Sequence, residues 1–240
     1  MRVADLLTAA LAREIADSGV RVFAVTSPST VAAALGARAL GAPDLAIAGG
    51  FTALDASPVP AAPLGEGALL SAGPAVRDWP LDTFTLLARG RVGVATAPAQ
   101  LDAAGRTNLS GIGPPGRPKV ALPGAHGLPD NNHSPSRVWY VFGAHSPRQL
   151  VERVDVVCGA APPPGAIRRL LTPAGCFELE GGAWRARWLT PEGLELVAGA
   201  PGLAIALTGE EPQADEPDAE ALAAVRAADP DDVRALEYPA

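Results

Sequence analysis

Two polar stretches interrupt a chain otherwise rich in alanine, valine, leucine and proline, and both carry residue types that can do chemistry. In the first, QLDAAGRTNLSGIG from Gln100 to Gly113, an amide, a carboxylate, a second amide and a serine fall within eleven residues. The second, LPGAHGLPDNNH from Leu122 to His133, sets Gly124, Ala125, His126 and Gly127 ahead of an acid and two further amides. Glycines there would free backbone N–H groups to hold a carbonyl or thioester oxygen, which is how oxyanions are stabilised in acyl chemistry. Such a loop suits the carboxyl end of a strand, where open α/β sheets bind ligands. The plainer reading of each stretch is local. Asp102 to Arg106 makes a tight turn, opened by the aspartate and given its left-handed residue by Gly105. The second stretch then reads as an ordinary glycine-rich loop.

Sharper motifs fail on mechanism. Gly111, Gly113 and Gly116 in GIGPPG match the letters of a dinucleotide fingerprint. That fingerprint needs a helix N-terminus aimed at a pyrophosphate, and Pro114, Pro115 and Pro118 leave no such helix with free donors. Ser110 is not a nucleophile elbow, because that turn requires glycine two residues earlier and Asn108 stands there. His126 and His133, with Asp130 between, have a spacing that a metal could use. With His145 they are three imidazoles scattered over loops, read as polar bystanders, so no metal site is assigned. Cys158 and Cys176 are too few and too far apart for a metal ribbon or a disulfide framework. They read as reduced thiols of a cytoplasmic protein.

The elements that must position these stretches follow from periodicity. Apolar residues make up 48% of the chain and aromatics 5%, so the core is expected to be small aliphatics in close layers of helix on sheet. The spacing predicts a helix over Val3–Asp17 stopped by Gly19, a strand over Val20–Val25, and a helix from the Ser27 cap and Pro28 to about Leu40. A strand at Asp44–Ala48 completes an α/β order with a mostly parallel sheet flanked by helices. Gly49–Pro80 is a long irregular segment. A helix is expected at Leu81–Ala88, and strands at 91–97, 119–121 and 137–142. Ser146 and Pro147 open a helix through Arg153, and Val154–Gly159 is a strand. Short extra strands follow at 167–172, 176–180, 184–189 and 203–207, with a helix at Pro191–Ala198. Residues 1–240 read as one domain, with a polar linker at 209–217 and a helical tail at 218–240. The net charge of −7 and the lack of a basic run argue against nucleic acid and anionic membrane as partners. No uninterrupted apolar stretch reaches bilayer-spanning length.

Taken in order, the polar stretches resemble a known family. AQLDAAGRTNLSGIG, RPKVALPGAHG and HSPRQLVERVDVVCG are similar to the β subunit of the family I coenzyme A transferases. Gln100, Asp102, Gly105, Asn108, Ile112, Gly113, Arg117, Pro118, Gly124, Gly127, His145, Arg148, Val151, Glu152 and Asp155 fit that pattern. Arg106 departs from it, since asparagine is usual there. LGAPDLAIA matches the family's strand entry. NHSPSRVWYVFGAHSPRQLVERVDVVCG and PDAEALAAVRAADPDDVRALE resemble one branch, the steroid ring-cleaving hydrolase β subunits of actinobacteria.

The resemblance implies a coenzyme A-transferase-like fold and an α-type subunit as partner in a heteromer. It implies an acyl-coenzyme A substrate, with coenzyme A present only as part of that substrate and no permanently bound cofactor. True transferases of the family place a nucleophilic glutamate just after the strand matched by DLAIA. Here Gly49, Gly50 and Phe51 follow, and Gly50 holds the glutamate's position. Glycine cannot attack a thioester, so the implied reaction is hydrolytic ring opening of a steroid-derived thioester. The working carboxylate would come from the α subunit, no catalytic residue is assigned on this chain, and the chain alone would be inactive. The implied substrate-binding set is Gln100, Asn108, Gly124, Ala125, His126 and Gly127. The loop would hold the thioester or enolate oxygen, and the two amides would orient the loop or the acyl chain. Two alternatives stay open: a genuine transferase whose nucleophile lies elsewhere, with Asp55 and Glu66 the next acids, and a non-catalytic scaffold subunit.

Overall fold

The computed structural model describes residues 2–49, 53–54, 75–76, 81–90, 92–134, 137–213 and 218–238. The chain folds as two compact units, one made of 1–95 with 216–240 and the other of 96–215. Gly50, Asp55 and Glu66 lie outside the described residues.

In the first unit, helix α1 (Val3–Ala16) buries Leu7, Leu11 and Ile15, one face of a 3.6-residue repeat. Helix α2 (Pro28–Ala39) opens as expected at Ser27, where Thr30 Oγ1 accepts from the N–H groups of Thr26 and Ser27. Strands β1 (Val22–Val25), β2 (Ala46–Gly49) and β5 (Val92–Thr96) are parallel, with β1 between the other two. Short antiparallel strands β3 (Ala53–Leu54) and β4 (Ala75–Val76) extend this sheet beyond β2, and α3 spans Leu81–Ala88. The alanine-rich composition becomes close packing here. A Cβ on Gly36 would lie 3.0 Å from Val225 Cγ2 and 3.4 Å from Ala12 Cβ, so α2 meets both α1 and the C-terminal helix Ala219–Ala228 with almost no side chain between.

In the second unit the short strands are β6 (Gln100–Asp102), β7 (Thr107–Asn108), β8 (Gly111–Ile112) and β9 (Val120–Ala121). Helix α4 (Leu128–His133), β10 (Arg137–Val141), β11 (Leu150–Val151) and β12 (Arg168–Thr172) follow. The remainder is a meander of β13 (Gly175–Glu180) and β14 (Ala183–Leu189), then α5 (Gly193–Ala198) and β15 (Ile205–Ala206). β10 and β12 are parallel, β12–β13–β14 antiparallel, and β15 runs parallel to β14. Leu101, Tyr140, Phe142, Leu170, Phe177 and Trp184 fill the core, with Tyr140 and Trp184 edge to face at 6.2 Å. The α/β class with a mostly parallel sheet and helical tail is what the sequence leads one to expect.

Two elements differ from expectation. The Ser146–Arg153 segment makes one turn only, with the Gln149 and Leu150 N–H groups donating to the Ser146 carbonyl. The Gln149 carbonyl is then claimed by Leu101 N–H, and buried Leu150 pairs with β6 as part of β11. Val154–Gly159 forms no strand beyond a single bridge at Gly159. Two of its backbone donors go to side chains, Val154 N–H to Asp102 Oδ2 at 3.2 Å and Asp155 N–H to Gln100 Oε1 at 3.0 Å, while those of Cys158 and Gly159 meet the Thr107 carbonyl. Tertiary contacts override helix and strand propensity in both places.

The C-terminal segment closes the first unit through buried charge. Arg234 Nη2 donates to Asp5 Oδ1 at 2.8 Å and Nη1 to Asp229 Oδ2 at 2.8 Å, and all three residues are buried. Glu237 accepts from the Ser29 N–H and hydroxyl at 2.8 and 2.6 Å, at the start of α2. Burial pushes the Asp5 carboxyl up, but hydrogen bonds from Arg234, Arg226 and Arg2 outweigh it and hold the carboxyl below its ordinary value. A depressed carboxyl adds stability above its unfolded pKa of about 4 and loses it as pH falls further. Arg234→Met, which takes the cation from buried Asp229 and one of three arginines from Asp5, is expected to cost about 3–5 kcal/mol in urea unfolding at neutral pH. Arg185→Ala, at the exposed 3.9 Å pair with Glu180, should cost under about 1 kcal/mol. Equal costs would show that the latch is not what holds the tail.

Candidate functional site

The first polar stretch folds as a hairpin, β6 against β7, with Gln100 opposite Asn108. Its turn is organised by Asp102, which is fully buried. Asp102 Oδ1 accepts from the Ala104 and Arg106 N–H groups at 3.0 Å, and Oδ2 from Arg106 Nε at 2.7 Å. The departure at Arg106 thus supplies the cation that pairs with this carboxylate. Gly105 sits at φ +77°, and a Cβ there would come within 2.7 Å of Leu179, so the position excludes any side chain.

The two amides face inward. Asn108 Nδ2 donates to Gln100 Oε1 and to the Gly111 carbonyl, each at 2.7 Å, and its Oδ1 accepts from Ser110 N–H at 2.9 Å. Gln100 Nε2 donates to Asp155 Oδ2 at 3.0 Å, an oxygen that also accepts from Gly113 N–H. Cys158 adjoins this cluster, its sulfur 3.0 Å from Ser110 Oγ and accepting from Leu109 N–H at 3.3 Å. Neither Cys158 nor Cys176 is joined in a disulfide among the described residues. The amide donors and acceptors are therefore spent on the chain itself, shaping residues 108–113. That segment in turn holds the second stretch, since Leu122 N–H donates to the Ser110 carbonyl at 3.1 Å and Gly124 N–H to the Leu109 carbonyl at 2.9 Å.

Gly124 takes φ +113°, but with its N–H committed to Leu109 it is not a free donor. The N–H groups of Ala125, His126 and Gly127 meet no acceptor among the described residues. His126 is exposed and left-handed at φ +48°, a conformation that costs a non-glycine residue energy and that surrounding structure must impose. Three successive amide donors in a strained loop are a physical basis for holding an oxygen with partial negative charge.

Sequence reasoning missed the residues under this loop. Asn132 is fully buried, and its Oδ1 accepts from the Tyr140 hydroxyl at 3.0 Å. Burial pushes the Tyr140 phenol up to about 12, which keeps it a donor. Arg168, also fully buried, reaches the carbonyls that end α4. The only available signals were an amide within LPDNNH and an arginine inside the strand pattern IRRLLT, and neither pattern reveals burial. His145 lies apart from the loop, its Nδ1 2.9 Å from Thr172 Oγ1 and its ring 5.6 Å from that of Phe177. Burial lowers its pKa to about 4, so it is neutral at physiological pH. No cluster of three metal-ligating side chains occurs among the described residues, and no described helix is long and apolar enough to cross a membrane.

The left-handed geometry at His126 has a measurable consequence. His126→Gly is expected to leave thermal stability unchanged or raise it by up to about 1 kcal/mol, because glycine adopts this φ freely. His126→Val should lower it, because a β-branched residue fits there worst. The reverse order in thermal unfolding would mean that the loop does not hold this conformation.

Known proteins supply the remaining observation. No family model matches the chain. A stretch of 78 residues, 32% of this chain, is 42% identical to the "Cholesterol ring-cleaving hydrolase IpdB subunit" of Mycobacterium tuberculosis, and that stretch spans 30% of the relative's length. Among solved structures, the decarboxylase AibA/AibB superposes over 98% of both chains with a TM-score of 0.83 and 30% identity. Rhodococcus jostii RHA1 IpdAB superposes over 100% of this chain and 99% of the other, with a TM-score of 0.80 and 25% identity. Glutaconate coenzyme A-transferase from Acidaminococcus fermentans shares the fold, covering 94% of both chains with a TM-score of 0.78 and 18% identity. The hairpin, the glycine loop and this full-length similarity lead to one conclusion: the chain belongs to the coenzyme A-transferase family and is close to IpdB.

Proposed function

We propose that this chain is the β-type subunit of a heteromer with an α-type coenzyme A-transferase-family partner. The complex acts on an acyl-coenzyme A and opens a carbon ring of a steroid-derived thioester by hydrolysis. The similarity to IpdB supports the reading, and so does Gly50, which stands where the resemblance puts the attacking glutamate of the transferases. The reaction needs no nucleophile from this side. Water, activated by a carboxylate of the partner, adds to a ring ketone β to the thioester. The adjacent carbon–carbon bond breaks, the ketone carbon leaves as a carboxylic acid, and the electron pair passes to the thioester as an enolate that is then protonated. Donors aimed at the thioester oxygen stabilise that enolate, and the Ala125, His126 and Gly127 N–H groups are the free donors available here. Gln100 and Asn108 act behind them, as supports of the loop. Coenzyme A enters only as part of the substrate.

A second reading is favoured by the 30% identity to AibA/AibB along 98% of the chain. Decarboxylation of an acyl-coenzyme A whose carboxylate departs from the α carbon, or from the γ carbon of an α,β-unsaturated thioester, also passes through a thioester enolate, so the same donors would serve. Products separate the two: ring opening consumes water and leaves a new carboxylate, and decarboxylation releases carbon dioxide.

The test is co-expression with an α-type subunit, followed by assay on ring-ketone acyl-coenzyme A thioesters. The complex should turn them over, the isolated chain should be inert, and hydroxylamine should trap no glutamyl thioester on it. Asn108→Ala should lower turnover about 10²-fold by misplacing the loop. A trapped acyl adduct on this chain would restore the transferase alternative. Undiminished turnover in Asn108→Ala would leave a scaffold role.

A further inference from the structure

The Ala125–Gly127 segment is short, half-buried to exposed, and turns through a strained residue, so its shape must be imposed from elsewhere. The imposing groups lie beneath it. From β12, Arg168 Nη2 donates to the carbonyls of Asn131 at 3.3 Å, Asn132 at 2.9 Å and Ser134 at 2.8 Å, while Nη1 donates to Ile167 at 3.0 Å. One planar fork thus gathers carbonyls that a helix end leaves without partners, and it puts a cation where the helix dipole favours one.

Asn132 is the second clamp. Its Nδ2 donates to the Gly105 carbonyl at 2.9 Å and the Ala160 carbonyl at 3.0 Å, while Tyr140 occupies its Oδ1. Gly105 belongs to the hairpin turn of the first polar stretch, so this one side chain ties the two stretches together. Between the clamps and the loop lies a single helical turn, closed by Asn131 N–H donating to the Gly127 carbonyl at 2.9 Å. Any shift at Asn131 and Asn132 therefore carries Gly127 with it.

We propose that Arg168 and Asn132 are positioning residues that hold the Ala125, His126 and Gly127 N–H groups as a preorganised seat for the thioester oxygen. The inference rests on the functional reading above. Neither residue touches substrate; each acts through the backbone of α4.

Two variants of the assembled complex test it. Tyr140→Phe removes the hydroxyl that donates to Asn132 and also interacts with Arg168, and Arg168→Lys keeps the charge while losing the fork. Amide hydrogen exchange across 122–134 should become about tenfold faster or more in both, with β13 and β14 unchanged, because local opening is separable from global unfolding. On an acyl-coenzyme A thioester that the native complex turns over, kcat should fall by about 10–100-fold while KM changes little, the signature of misplaced transition-state donors. If Arg168→Lys does not fold, Tyr140→Phe decides alone. Unchanged exchange over 122–134, or faster exchange with unchanged kcat, overturns the proposal. A native complex inert toward every thioester sinks the functional reading instead, and with it the catalytic meaning of the clamp.

Discussion

A polar group taken into an apolar interior must find its hydrogen-bond partner there, and that constraint organises the second unit. Asp102, Asn108, Asn132 and Arg168 are all fully buried, in a unit whose core is leucine, valine and the rings of Tyr140, Phe142, Phe177 and Trp184. Leaving one such group unpaired costs about 1–3 kcal/mol, so each is matched closely, and the matching decides the path of the backbone. Asp102 replaces a strand partner for Val154, and Gln100 does the same for Asp155. Arg168 replaces the missing next turn of α4. What looks like irregular loop is a set of segments whose ladder partners are side chains.

This explains how far the fold could be read in advance. Elements built from periodicity were legible: α1 from its apolar face, α2 from Ser27 and Pro28, β1 and β2 from the short apolar runs VRVFAV and DLAIA, the Asp102–Gly105 turn from its residue types. Elements decided by side-chain partners were not. HSPRQLVERVDVVCG has helical and then strand propensity, yet the demand of buried Asp102 and Gln100 for donors leaves it with one turn, the two-residue strand β11 and one bridge. The candidate site divides likewise. Gly124 to Gly127 could be located from glycine and amide content, but not that Gly124 spends its own donor on Leu109. Asn132 and Arg168 could not be picked out, because burial depends on strands far apart in sequence.

Within the family, the chain illustrates how chemistry is divided between a scaffold and its sites. A fold shared with a coenzyme A-transferase at 18% identity says little about reaction. On the function proposed above, the difference lies in single positions, with Gly50 where the resemblance places an attacking carboxylate and a loop whose free donors are backbone. Backbone donors carry no side-chain identity, so neighbouring reactions that share an enolate can be reached without changing them.

The pairing of Asp5 with Arg234 bears on how the molecule is made. The two residues are 229 positions apart, so during synthesis α1 emerges with only Arg2 beside its carboxylate, long before Arg226 and Arg234 exist to complete the pairing. Residues 96–215 can collapse on the ribosome as a unit in that interval. Helix α1 must wait, and the layer it belongs to can be completed only after Arg234 has been translated.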